Sequence, residues 1–82
     1  MKEVLKFGMK TCAPCKLLSK VMEGMENVTE VDAEDQPELA AHYGIVQVPT
    51  LVYLEDGVEY YRSTGVTTKD VIEGKLNDRS EG

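Results

Sequence analysis

Two cysteines three positions apart, Cys12 and Cys15, fall where one backbone pattern gives way to another, and that junction constrains the fold more than any other feature. Val4 to Phe7 reads as a short strand ending at Gly8. From Pro14 onward the spacing becomes helical: Leu17, Val21 and Met25 recur every four positions, with Leu18 and Met22 beside them in one apolar stripe. Pro14 suits the first turn of that helix, where its missing N–H costs little and its fixed φ is already helical. The cysteine pair therefore opens a helix that follows closely on a strand.

The remainder of the chain is punctuated in the same legible way. Gly24 and Asn27 are expected to end the first helix, and Val28 to Asp32 reads as a second strand. Asp35 is positioned to cap a short helix with Pro37 in its first turn, Glu38 at the positive end of its dipole, Leu39 and Tyr43 on one face, and Gly44 closing it. Ile45 to Pro49 is a connector. Thr50 to Leu54 and Val58 to Arg62 are β-branched and aromatic, and Asp56-Gly57 between them signals a tight hairpin, because such a turn needs positive φ. Thr67 and Asp70 resemble a capping box opening a last helix whose face carries Val71, Ile72, Lys75 and Leu76. The order β-α-β-α-β-β-α predicts an α/β fold, a four-stranded mixed sheet flanked by three helices, with the first two strands parallel through a right-handed crossover and the hairpin antiparallel.

A chain of 82 residues holds one hydrophobic core, so residues 1–82 read as a single domain, with 77–82 a polar, frayed tail. Hydrophobic residues at 41% and charged residues at 29% give an ordinary globular balance, against disorder and against a membrane span. The charged start, Met1 to Phe7, lacks the apolar run of a signal peptide, which points to a cytoplasmic protein. A net charge of −6 without a basic patch disfavours nucleic acid and anionic lipid as partners. A monomer acting on proteins or small thiols is expected.

In a reducing cytosol a lasting structural bridge is not maintained, so the two cysteines are redox-active or part of a metal site. Zinc ordinarily takes four ligands, and this chain offers two cysteines and one histidine, His42, on a short helix away from the pair; no metal is assigned. Disulfide exchange needs two sulfurs close together with unequal reactivity. Cys12 at a helix N-cap, near free N–H groups and the positive end of the dipole, is the expected nucleophile, and Cys15, one turn in, the resolving thiol. Lys10 and Lys16 add positive charge at exposed distances, and Met9 and Lys10 lie in the loop before the pair. Aromatic cross-strand packing accounts for Tyr53, Tyr60 and Tyr61. Asp32, Glu34, Asp35 and Glu38 read as a solvated acidic surface.

Taken together, Thr11-Cys12-Ala13-Pro14-Cys15-Lys16, Tyr43-Gly44-Ile45, Val48-Pro49-Thr50, Asp56-Gly57 and Gly65 resemble the thioredoxin family. The similarity runs from Val4 to Leu76, without the extra N-terminal strand and helix of full-length thioredoxins. It implies a protein-disulfide oxidoreductase that needs no bound cofactor, because the sulfurs carry the electrons. It also implies a flavin thioredoxin reductase upstream and disulfide-bearing proteins downstream, a ribonucleotide reductase among them. By the same resemblance Pro49 follows a cis peptide bond, although only about 5–6% of X-Pro bonds in folded proteins are cis. Val48 would offer its backbone to an extended substrate, Gly65 would let that chain come close, and Thr11, Ala13 and Pro14 would complete the docking surface.

Three departures stand out. Thr11 replaces the tryptophan common before the first cysteine, and the chain has no tryptophan at all. The family's buried carboxylate on the strand before the motif aligns with Lys6, and the lysine that usually faces it aligns with Glu30, so the pair appears with its charges exchanged. Charged side chains are seldom buried, so both are expected as solvated strand residues; the alternative gives Glu30 or Lys6 a part in moving the Cys15 proton. The nearest rival, a glutaredoxin using glutathione, ordinarily carries Pro-Tyr between its cysteines and a Gly-Gly pair before the last helix. This chain has Ala13-Pro14 and Thr64-Gly65-Val66. A noncatalytic or metal-binding module using the same thiols remains the other class.

Overall fold

The computed structural model describes residues 1–77. Its elements are β1 (Lys2–Gly8), α1 (Ala13–Val21), β2 (Val28–Asp32), α2 (Pro37–His42), β3 (Thr50–Glu55), β4 (Val58–Thr64) and α3 (Lys69–Asn77). The sheet order is β2-β1-β3-β4, with β1 and β2 parallel and both other pairs antiparallel. This is the expected four-stranded mixed sheet with three helices.

The two central strands are covered on both faces, which is why consecutive residues are buried from Val4 to Gly8 in β1 and from Thr50 to Leu54 in β3, rather than alternate ones. Successive residues still point to opposite faces. Val4, Leu51 and Tyr53 join Leu18 of α1, Met22 just after it and Ile72 of α3 in one cluster; Leu5, Phe7, Val52 and Leu54 join Val31 and Ala40 in the other. Alternation puts Lys6 on the α1 face, between Val4 and Gly8.

Local chemistry shifts several boundaries. α1 stops at Val21 with Met22 as its cap, ahead of Gly24, and its buried stripe is Cys15, Leu18 and Met22; Leu17 instead stands 58% exposed. Asp35 does not cap α2. The N-cap is Gln36, without a side-chain bond, and Asp32 organises the preceding turn by accepting from the N–H groups of Glu34 at 2.8 Å and Asp35 at 3.3 Å. α3 starts one residue later than the capping pattern suggested: the Thr68 hydroxyl, not that of Thr67, accepts from the Val71 N–H at 3.3 Å. Ile72 is buried on that helix, while Val71 faces outward. α3 runs through Asn77, the first residue of the expected tail; 78–82 lie outside the described residues.

The hairpin forms at Asp56 and Gly57, both with positive φ, 53° and 85°. A bulge opposite Tyr53 and Leu54 brings two β4 rings against Tyr53, Tyr60 at 6.1 Å and Tyr61 at 5.4 Å between centroids. The Tyr60 hydroxyl donates to the Lys75 carbonyl at 2.8 Å, and the Lys75 ammonium lies 4.3 Å from the Tyr61 ring centroid, fastening α3 to the sheet.

Candidate active site

The site begins at the carboxyl end of β1. Gly8 closes the strand, the chain turns so that the Cys12 N–H donates to the Met9 carbonyl at 3.2 Å, and α1 starts at Ala13 with Pro14 in its first turn. Cys12 is the N-cap residue, in extended conformation, and its sulfur accepts the Cys15 N–H at 3.2 Å. A cap acceptor satisfies one of the donors that every helix start leaves unpaired. Cys12 is half-buried and Cys15 is buried, and the two are joined as a disulfide with Cα atoms 5.2 Å apart.

A second segment comes from the connector before β3. The Val48–Pro49 peptide is cis, as the resemblance implied and against the general frequency. Pro49 is fully buried, Val48 half-buried, and the buried Thr50 hydroxyl donates to the Gln47 carbonyl at 2.7 Å, fixing the turn. The Gly65 N–H donates to the Pro49 carbonyl at 2.9 Å, so the end of β4 is tied to the same loop. Gly65 has φ of 85°, and the position a Cβ would take there is open space. Thr11, Ala13 and Pro14 are exposed on the first segment.

Behind Cys15 lies a cavity of about 410 Å³ between β1, β2 and α1. Lys6, Gly8, Cys15, Ser19 and Glu30 line it. Lys6 and Glu30 are direct partners in the parallel register, yet only Glu30 is exposed; Lys6 retains 4% of its surface, so the expectation that both are solvated fails for the lysine. Its stem follows the apolar face shared with Val4 while the ammonium reaches the cavity, the usual way a lysine accommodates burial. Lys10, farther out, pairs with Asp35 at 3.8 Å across two largely exposed side chains, a contact worth little. His42 stands on the surface, edge-on to the Tyr43 ring at 4.9 Å between centroids.

Sequence reading missed the burial of Lys6 and two exposed apolar side chains, Val46 at 94% and Val66 at 47%, which sit beside Val48 and Gly65 in the chain. The available signal was Val66, a lone apolar residue among Thr64, Thr67 and Thr68; Val46, set between Ile45 and Val48, gave none.

A redox-competent cysteine pair at a helix start on the end of a mixed sheet defines a thiol-disulfide oxidoreductase. The thioredoxin family model matches residues 1–78, and the chain belongs to the thioredoxin family. Among its relatives is the thioredoxin of Chlamydia caviae, 32% identical over 94% of this chain and 81% of the relative. Another, from Bacillus subtilis, is 29% identical over 80% of this chain and 70% of the relative. A solved thioredoxin variant from Halobacterium salinarum superposes with a TM-score of 0.86 at 28% identity, covering 92% of this chain and 71% of that one. A thioredoxin from Nicotiana alata gives 0.83 at 27% identity over 92% and 70%. The protein is accordingly a protein-disulfide oxidoreductase working by dithiol-disulfide exchange. Among the described residues no helix is long and apolar enough to cross a membrane.

Proposed function

We propose that this protein is a cytoplasmic disulfide reductase in which Cys12 is the nucleophile and Cys15 the resolving thiol. The observation that carries the assignment is the difference between the two sulfurs: Cys12 is half-buried at the helix start, and its sulfur accepts an N–H, whereas Cys15 is buried. A helix N-terminus favours the thiolate of the residue that caps it, and the more accessible thiolate is the one a substrate disulfide meets first. Cys12 attacks the substrate, forming a mixed disulfide and releasing one substrate thiol. Cys15 then attacks the Cys12 sulfur, the second substrate thiol leaves, and two electrons have passed from the dithiol to the substrate.

The substrate chain docks on Thr11, Ala13 and Pro14 from one side and on Val48, Pro49 and Gly65 from the other, with Val46 and Val66 as apolar contacts. An extended segment fits there because Gly65 leaves open space where any other residue carries a Cβ. With no tryptophan before Cys12, recognition rests on these backbone and aliphatic contacts. Residues 1–82 act as a single domain and a monomer, without a bound cofactor, contributing to electron transport and cell redox homeostasis. A thioredoxin reductase restores the dithiol, and the targets include enzymes of the ribonucleotide reductase kind.

The test is the equilibrium reduction potential of the Cys12–Cys15 couple in a glutathione or dithiothreitol series. A value toward the reducing end of such proteins, about −270 mV, fits a cytoplasmic reductase, and one near about −120 mV reverses the net electron flow and refutes the assignment.

A further inference from the structure

Lys6 is a buried cation without a counter-ion: it is 4% exposed, and among the described residues none forms a hydrogen bond or an ion pair with its ammonium. It lines the same cavity as Cys15. The point where a Cβ on Gly8 would sit lies 3.3 Å from the Cys15 sulfur and 3.8 Å from the Lys6 ammonium nitrogen, so the two groups share the space left open by the absent glycine side chain. Six charged groups line this cavity: Lys6 from β1, Lys10 from the following loop, Lys16 from α1, Glu30 and Asp32 from β2, and Asp35 from the turn after it. Lys10 is paired with Asp35, Asp32 accepts two backbone N–H groups, and Lys16 and Glu30 are exposed. From β3, the residue paired with Lys6 is the apolar Leu51. The one charge held inside, away from solvent screening, is Lys6.

We infer that Lys6 is a charge-positioning residue for the resolving step, holding Cys15 ready as a thiolate by direct attraction. The inference rests on the assignment of Cys15 as the resolving thiol. The Cys15 proton leaves through the cavity mouth to water or to the Glu30 carboxylate standing there; Lys6 takes no part in moving it. The Cys15 thiolate then forms the bond to Cys12 as the bond between Cys12 and the substrate sulfur breaks. The released substrate thiolate takes up a proton from water. Burial alone disfavours a thiolate, and a cation sharing its space reverses that preference. In this arrangement Glu30 is dispensable, because water reaches the same mouth.

The test compares Cys15 thiolate absorbance against pH in a Cys12→Ser background carrying Lys6, Lys6→Met, Lys6→Gln or Lys6→Arg, each checked for folding by circular dichroism. Met and Gln are both included so that one neutral replacement remains if the other does not fold. The expected result is a titration midpoint about one to three pH units higher for Met and Gln, with Arg staying near Lys6. Equal midpoints in all four overturn the inference. Protein-disulfide reduction by the unsubstituted chain is measured alongside: its presence with equal midpoints removes only the role of Lys6, while its absence removes the assignment of the cysteines as well.

Discussion

The Cys15 N–H donates to the Cys12 sulfur at 3.2 Å, so the helix turn that buries one cysteine also presents a donor to the other. Their unequal roles make the two serine variants behave differently. Cys12→Ser is expected to abolish reduction of a protein disulfide. Cys15→Ser is expected to stop after one step, with the substrate trapped on Cys12. Mass spectrometry of the reaction without added thiol checks both; trapping on Cys15 alone would reverse the assignment.

Leu18 and its neighbour Leu17 are chemically identical, but Leu18 is fully buried between α1 and the sheet while Leu17 is 58% exposed. Leu18→Ala should cost about 2–5 kcal/mol, as large-to-small core substitutions do. Leu17→Ala should stay within about 0.5 kcal/mol. Urea unfolding of both variants at equal m-value measures the contrast.

That pair also marks where the sequence was readable. Turn chemistry located the hairpin because Asp56-Gly57 leaves few alternatives, and helical spacing placed α1 because five apolar residues follow it. The same spacing did not say which side of that five-residue stripe meets the sheet, since rotating the helix by one position exchanges Leu17 for Leu18. Capping was legible to within one residue: Thr67 and Thr68 offer the same hydroxyl, and only the path of the chain selects the second. Lys6 was misplaced because a strand residue's face follows from pairing, and burial of its side chain depended on α1 leaving a cavity beside Cys15.

Gly65 adopts a φ of 85°, which side chains other than glycine's accommodate poorly. Gly65→Ala should destabilise the fold by about 1–2 kcal/mol, the cost of a left-handed backbone for an L-residue. Its methyl group would also project where substrate docks, so KM for a protein disulfide should rise more than kcat falls. Equal KM would separate Gly65 from the docking surface.

Tyr53 has no exposed surface, and burial is the main reason its hydroxyl pKa is pushed up to about 12, with the Ser63 hydroxyl opposing and the charges of Tyr61 and Tyr60 assisting. An unfolded tyrosine ionises near pH 10, so above that pH the unfolded chain loses its proton first. The contribution is therefore complete below pH 10 and lost as the pH rises toward 12, at up to about 1.4 kcal/mol per pH unit. Tyr53→Phe should flatten this fall, which urea midpoints at pH 8 and pH 11 would measure.

The most direct measurement is thiol counting when the fully reduced protein meets an excess of a protein disulfide, with no other reductant present. The expected result is the loss of both thiols in each molecule of this protein, one Cys12–Cys15 bridge formed, and one substrate disulfide opened per molecule. Two thiols still present, with the substrate unreduced, would contradict a dithiol-disulfide exchange carried by this pair.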